Sequence, residues 1–101
     1  MPCFIIDGRD GPDAEAPTRR QTARDAHLQH IGQSLAWVKM AVATLDAAGK
    51  PNGSLLITDF PDRTALDAWL AQEPYVQQKV WQEIIVTPGR FPPMFAPPAN
   101  A

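Results

Sequence analysis

Residues 35–60 read LAWVKMAVATLDAAGKPNGSLLITDF, and this stretch decides the fold. Two almost uninterrupted apolar runs, residues 35–45 and 54–60, flank a segment whose Asp, Gly, Pro and Asn residues favour turns. Apolar runs without a breaker are typical of buried strands. The stretch therefore predicts an antiparallel hairpin of two strands joined by a loop of about eight residues.

Both faces of the predicted hairpin are apolar. In its first strand, one face carries Trp37, Ala41 and Ala43, and the other carries Val38, Met40 and Val42. In its second strand, Leu55 and Ile57 alternate with Leu56 and Phe60. A sheet with one solvated face would instead alternate apolar and polar residues. Helices cover only one face of such a sheet, so we expect a second copy to cover the other, in a homodimer with sheets packed face to face.

The segment before the hairpin predicts a first helix over residues 18–34. Thr18 and Gln21 have the spacing of a capping box, and no proline interrupts the segment that follows. The narrow apolar stripe of this helix consists of Leu28, Ile31 and Leu35.

A second helix and two outer strands complete the predicted order. The helix covers residues 61–73, with Asp62 as its N-cap. The apolar run at residues 3–6 predicts the first strand, and residues 83–91 predict the last. The order β-α-β-β-α-β is that of a ferredoxin-like α+β fold with a four-stranded antiparallel sheet.

Composition excludes several classes of protein. The 101 residues allow one domain, which we place at residues 1–91, before a proline-rich C-terminal tail at residues 92–101. The net charge is −2 and the basic residues are scattered, so we expect no nucleic-acid partner. The absence of a long apolar segment or a signal peptide predicts a cytoplasmic protein without a membrane partner. Cys3 is the single cysteine, we interpret it as a small buried side chain, and no spacing resembles a metal site.

The two histidines, His27 and His30, lie three residues apart in the predicted first helix. His27 borders the apolar stripe, where a neutral imidazole can act as a general base if a carboxylate fixes its tautomer. The alternative is a helix-edge histidine that only packs its ring and bonds to a carbonyl. We interpret His30 as a surface residue.

Glu73 and Ser54 are further candidates. Glu73 precedes a proline, so we expect it at the end of the second helix, with its side chain free to reach across the sheet. The alternative is a solvated glutamate at a helix end. Ser54 lies at the mouth of the hairpin, where serine is more often a turn residue than a nucleophile.

Five segments, taken in order, resemble the YciI-like (YCII-related) family over about residues 3–91. They are FIIDGRDGPD at 4–13, Arg-x-x-His-Leu around His27, LDAAGKPNGSLLITDF at 45–60, ALDAWLAQEPYV at 65–76 and VWQEIIVTPGRF at 80–91. The resemblance implies a ferredoxin-like fold that dimerises through its sheets into an α/β barrel. It also implies a small cytoplasmic protein without a cofactor.

The resemblance further implies a pair of catalytic residues. Many family members carry a histidine on the first helix and the aspartate of an Asp-Pro-Tyr motif, proposed as an acid–base pair. By position these correspond to His27 and Glu73, with Pro74 and Tyr75 matching the rest of the motif. Glutamate is one methylene longer than aspartate, so the carboxylate is retained but the geometry of the histidine–carboxylate pair must differ.

The chain also has MAVAT at residues 40–44, where the family usually has Ala-Gly-Pro, and this difference predicts a different cleft floor.

The resemblance, which includes a relative in chloroaromatic breakdown regarded as a dehydrochlorinase, implies an enzyme, lyase/dehydrochlorinase-like or isomerase-like, for a small aromatic or enolisable metabolite. His27 would move a proton, Glu73 would orient the imidazole, and Arg9, Ser54 and Tyr75 would bind the substrate. One alternative is a noncatalytic dimeric module that binds a small ligand or a partner protein. Another is a cofactor-independent monooxygenase of the dimeric α/β-barrel type.

Overall fold

A computed structural model of the chain describes residues 2–96, in which four strands form one antiparallel sheet. The elements are β1 (Cys3–Asp10), α1 (Ala16–Gly32), β2 (Val38–Leu45), β3 (Pro51–Asp59), α2 (Arg63–Gln72), α3 (Pro74–Gln77) and β4 (Trp81–Gly89), followed by a 3-10 turn at Pro93–Phe95. The strand order is β2-β3-β1-β4. The predicted ferredoxin-like α+β fold is confirmed.

The hairpin of β2 and β3 has a tighter turn than the sequence predicts. The Asp46 carboxylate accepts hydrogen bonds from the backbone N–H groups of Ala48 at 2.9 Å and Lys50 at 3.0 Å. Gly49 has a φ of 84°, which favours glycine because it lacks a Cβ. The connection therefore spans residues 46–50, and the expected eight-residue loop is wrong.

Helix α1 begins earlier than expected and buries different residues. Glu15 is its N-cap and no side chain caps it, so the capping box at Thr18 is wrong. The residues that it buries are Ala16, Ala23 and His27. Of the predicted apolar stripe, Ile31 packs against the core, but Leu28 is 46% exposed, and Leu35 lies beyond the helix end and is 64% exposed, so the prediction is wrong for these two leucines. Small alanines allow the helix to approach the sheet more closely than leucines would.

Helix α2 begins as predicted and ends at a break that orients Glu73. The Asp62 carboxylate accepts a hydrogen bond from the Ala65 N–H at 2.8 Å, which confirms Asp62 as the N-cap. At the other end Glu73 has extended backbone angles, φ −71° and ψ 122°, as expected before a proline. Its side chain caps α3 by accepting from the Tyr75 N–H. The break thus directs the carboxylate inward.

The two faces of the sheet differ in cover. The helices bury one face, where Phe4, Ile6 and Leu56 form the core with residues of α2, α3 and β4. On the other face, Met40 is 62% exposed and Ile85 is 42% exposed when only the described residues are considered. Ile57 on the same face is partly buried. Cys3 is 7% exposed, which confirms it as a small buried side chain. The hairpin strands are apolar on the uncovered face, as predicted, whereas Asp7 and Arg9 of β1 and Glu83 of β4 lie on the same face.

Two further expectations concern the C-terminal tail and membrane-spanning helices. Most of the expected tail at residues 92–101 lies outside the described residues, so the domain boundary stays a prediction. Within residues 2–96, every helix is too short or too polar to cross a bilayer.

Candidate active site

A buried carboxylate joins the two histidines. Glu73 is 0% exposed, and its Oε1 is hydrogen bonded to Nδ1 of His27 while its Oε2 lies 2.5 Å from Nδ1 of His30. Oε1 also accepts from the Tyr75 N–H at 3.2 Å. Since carboxylate oxygens only accept, both imidazoles donate through Nδ1, and in a neutral ring Nε2 is then an acceptor.

The placement of His30 corrects the sequence interpretation. Its side chain is 18% exposed, and its ring stacks on Trp69 of α2 with centroids 4.6 Å apart. The three-residue spacing on α1 brings both histidines to the side that faces the break between α2 and α3. His30 as a surface residue is therefore wrong, and so is the alternative of a solvated Glu73.

Aromatic rings fix the orientation of His27. Its imidazole is stacked on Tyr75, with centroids 3.8 Å apart and an interplanar angle of 6°. The edge of Trp81 meets it at 5.9 Å. Burial raises the pKa of the Tyr75 phenol, while the positive charges of Arg20 and Arg24 act in the opposite direction. Tyr75 is therefore a neutral ring at physiological pH.

A cavity of about 730 Å³ lies between α1 and the hairpin, with His27 in its wall. One side of α1 forms one wall of the cavity. Ala41 and Ala43 of β2 contribute to the opposite wall, so the segment at residues 40–44 does line the cleft. Nδ1 of His27 is engaged by Glu73. The nitrogen of His27 that remains for a bound molecule is therefore Nε2.

Ser54 belongs to a buried polar network at the edge of this cavity. Arg20 Nη1 lies 3.0 Å from both carboxylate oxygens of Asp10, and its Nη2 donates to Ser54 Oγ at 3.0 Å. Trp81 Nε1 donates to the same oxygen at 3.3 Å. Ser54 lies within β3, so its interpretation as a turn residue is wrong. Ser54 and Tyr75 both line the cavity, and their contact with a substrate stays a prediction.

Arg9 lies away from the cavity. Side chains alternate along β1, so Gly8 and Arg9 belong to opposite faces of the sheet. The Arg9 side chain is 59% exposed, with Nη2 at 3.1 Å from Asp7 and Nε at 3.9 Å from Glu83. The expectation that Arg9 contacts a substrate held beside His27 is not supported by this placement.

Sequence reasoning missed Arg24 and Lys50, which both line the cavity. A signal for Arg24 was present, because it precedes His27 by three residues and follows Arg20 by four. That spacing brings the three side chains to one face of a helix. Lys50 had no such signal, since only the folded hairpin turn brings it to the cavity.

Solved structures similar to this chain share its fold. A 5-chloro-2-hydroxyhydroquinone dehydrochlorinase (TftG) from Burkholderia phenoliruptrix AC1100, in complex with 2,5-dihydroxybenzoquinone, is 20% identical, with a TM-score of 0.80 over 91% of this chain and 97% of that one. An antibiotic biosynthesis monooxygenase is 18% identical, with a TM-score of 0.55 over 92% and 100%. A dimeric ferredoxin-like protein of unknown function from Jannaschia sp. CCS1 is 19% identical, with a TM-score of 0.52 over 90% and 100%.

Sequence comparison gives the family. No curated protein sequence matches the chain significantly. The sequence model of the YCII-related domain matches residues 3–90, which is almost the whole described chain. The chain therefore belongs to the YCII-related domain family.

Proposed function

We propose that the protein is a cofactor-independent enzyme, lyase/dehydrochlorinase-like or isomerase-like, that acts on a small aromatic or enolisable metabolite. The observation that carries this proposal is the hydrogen bond between Nδ1 of His27 and the buried Glu73, on a ring that lines a cavity of about 730 Å³. A hydrogen-bonded pair that opens on a cavity is the arrangement that general acid–base catalysis needs.

His27 and Glu73 have different roles in this proposal. Nε2 of His27 takes a proton from the substrate, and Glu73 holds the imidazole in the tautomer that leaves Nε2 unprotonated. When the imidazole becomes positively charged, the adjacent carboxylate stabilises it. The carboxylate is fully buried, so its attraction for that charge is weakly screened by water.

His30 supports the pair as a positioning residue. It donates to the Glu73 oxygen that His27 does not use, so both carboxylate oxygens have a partner. Trp69 stacks on the His30 ring and donates through Nε1 to Ser34 Oγ at 2.8 Å. The orientation of Glu73 is therefore fixed from α1 and α2 together.

The proposed chemistry needs no oxidant or reductant. In a dehydrochlorination, Nε2 of His27 accepts a proton while chloride leaves with the electrons of the carbon–chlorine bond, so the substrate loses HCl. In an isomerisation, the same nitrogen returns the proton at another atom. The similar dehydrochlorinase binds 2,5-dihydroxybenzoquinone, a compound with one six-membered ring, and a cavity of this volume accommodates such a ring.

We also propose that the functional unit is a homodimer. Met40 and Ile85 are exposed on the sheet face opposite the helices, and Ile57 lies between their strands on the same face. Large apolar side chains exposed together on one face favour an interaction site. The ferredoxin-like protein from Jannaschia sp. CCS1, which has the same fold, is dimeric.

Chloride release from 5-chloro-2-hydroxyhydroquinone tests the proposed activity. We expect turnover by the unmodified protein and a decrease in kcat of at least about 100-fold for His27→Gln, because the general base is lost. Gln29→Ala is the matched control, since Gln29 lies on the exposed side of the same helix. Unchanged turnover in His27→Gln would contradict the proposal. Tight binding of 2,5-dihydroxybenzoquinone without turnover of the chlorinated compound would favour the noncatalytic binding module.

A further inference from the structure

The charge of the cavity wall differs in sign from that of the whole chain. The chain has nine Lys and Arg against eleven Asp and Glu, and a net charge of −2. Three of those cations, Arg20, Arg24 and Lys50, line the cavity, and no aspartate or glutamate among the described residues does so. The cavity is therefore a positively charged region of an acidic protein.

Among the described residues, one of the three cations is neutralised by a neighbour. Arg20 is held by Asp10, and the two side chains are 12% and 6% exposed. For Arg24 and Lys50, the part of the chain from residue 2 to residue 96 supplies no side-chain ion pair. Two positive charges in the cavity wall thus have no carboxylate partner within residues 2–96.

Arg24 and Lys50 approach the cavity from different elements. Arg24 lies on α1, three residues before His27, so the two side chains are neighbours on the helix surface. Lys50 ends the turn between β2 and β3, and this turn belongs to the opposite wall. Arg24 and Lys50 therefore bring positive charge to the cavity from two walls, and His27 lines the same cavity.

We propose that the cavity binds a ring compound that carries a carboxylate, with the carboxylate between Arg24 and Lys50. The inference deepens the proposed function, on which it rests for the site, by naming the substrate class. Arginine matches a carboxylate with two parallel N–H donors, and lysine adds a point charge. The ring then lies against apolar wall residues, which include Leu28 and Ala41.

The shape of the site increases the effect of these exposed cations. An isolated surface ion pair contributes little, because water screens it. A cleft lined by charges of one sign with low-dielectric walls concentrates the field, and it raises the local concentration of oppositely charged ligands. The wall of this cavity combines both properties.

Calorimetric titration of 2,5-dihydroxybenzoate and of 2,5-dihydroxybenzamide tests the inference, because the two probes have similar shapes and differ in charge. We expect the benzoate to bind at least about tenfold more tightly than the benzamide. Arg24→Gln and Lys50→Gln should each weaken benzoate binding about fivefold to tenfold and leave benzamide binding within about twofold. An increase in salt from about 50 mM to about 500 mM should weaken the binding of the benzoate and leave the binding of the benzamide unchanged.

Arg90→Gln and Lys39→Gln are the matched controls, since they remove one positive charge from positions outside the cavity wall. Both should bind the benzoate like the unmodified protein. Equal binding of the two probes, absence of binding by the benzoate, or equal losses in the control and cavity variants would overturn the inference. His27→Gln should still bind the benzoate, so a failure of the proposed catalysis is distinguishable from a failure of anion binding.

Discussion

Nδ1 of His30 lies 2.5 Å from Oε2 of Glu73, and the other oxygen of the same carboxylate is bonded to Nδ1 of His27. One buried carboxylate thus receives a hydrogen bond from each of two imidazoles that lie on one helix. His27 and the Tyr75 N–H both hold Oε1, and His30 is the donor on Oε2. We therefore expect His30 to restrain Glu73 further, and through Glu73 the orientation of His27.

Replacement of His30 by phenylalanine should reduce catalysis without reducing substrate binding. The phenyl ring keeps the contact with Trp69, and Oε2 of Glu73 loses its donor. An unsatisfied oxygen on a buried carboxylate costs about 1–3 kcal/mol of stability. Because Glu73 and the imidazole that it orients are then held less firmly, we expect kcat to fall about tenfold. KM should stay within about twofold, because His30 is absent from the cavity wall. Initial rates over a range of substrate concentrations measure both constants.

A second variant separates positioning from mere packing. His30→Asn places an amide nitrogen near the position of Nδ1 and restores a donor to Glu73. We expect His30→Asn to recover most of the kcat that His30→Phe loses. Equal losses in the two variants, or no loss in either, would show that the contact with Glu73 does not position His27.

Glu73→Gln should abolish most of the activity while preserving the fold. The amide has the shape of the carboxylate, but it carries no charge and presents an N–H₂ group to one of the histidines. The histidine that meets this group must accept at Nδ1, so its tautomer is reversed. We expect kcat to fall at least about 100-fold and the free energy of unfolding to fall by about 1–3 kcal/mol.

Enzyme assays and urea unfolding measure these two effects. Glu83→Gln is the matched control, because it makes the same chemical change on an exposed side chain of β4. It should leave both quantities unchanged. Full activity in Glu73→Gln would exclude the carboxylate from the mechanism.

The fold was predictable because its signals are local. The apolar runs of the hairpin, Pro74 at the start of α3 and the Asp62 cap each act within a few residues, and together they give the order of elements. The N-terminus of α1 was not predictable in the same way. Thr18 and Gln21 have the spacing of a capping box, yet the helix extends back through Pro17 to Ala16, whose side chain is buried.

The candidate site was predictable only in part, because its contacts are long-range. His27 and Glu73 are 46 residues apart, and family resemblance rather than spacing brought them together. His30 was misjudged because its burial depends on Trp69, a residue of another helix. Strand alternation already separates Arg9 from Ile6 and Gly8 on β1, so its position on the other face follows from the core assignment of Ile6.

The ion pair between Asp13 and Arg19 predicts a dependence of stability on pH. Two hydrogen bonds of 2.6 and 2.9 Å from the Arg19 guanidinium lower the pKa of Asp13 from 3.8 to about 2. Since the pKa is lowered in the folded state, the pair stabilises the fold above pH 3.8, and this contribution is lost as the pH falls through about 2.

An NMR titration of the Asp13 carboxyl carbon checks this prediction. We expect a midpoint of about 2 in the unmodified protein and a midpoint close to 3.8 in Arg19→Gln. The difference in Tm between the two proteins should disappear once the pH is below the lower value. Arg90→Gln is the control, and it should keep the lower midpoint. A midpoint close to 3.8 in the unmodified protein would contradict the ion pair.

The apolar face of the sheet predicts that Met40→Lys disrupts the homodimer. Met40 is 62% exposed and pairs with Ile57, so its replacement changes the proposed interface while leaving the helix-covered core intact. A lysine there would bury a charge against a second apolar sheet, which is strongly unfavourable without a partner charge. Light scattering during gel filtration should show a dimer for the unmodified chain and for Gln29→Lys, which adds the same charge on α1. A monomeric unmodified chain, or a dimer that survives Met40→Lys, would exclude this face as the interface.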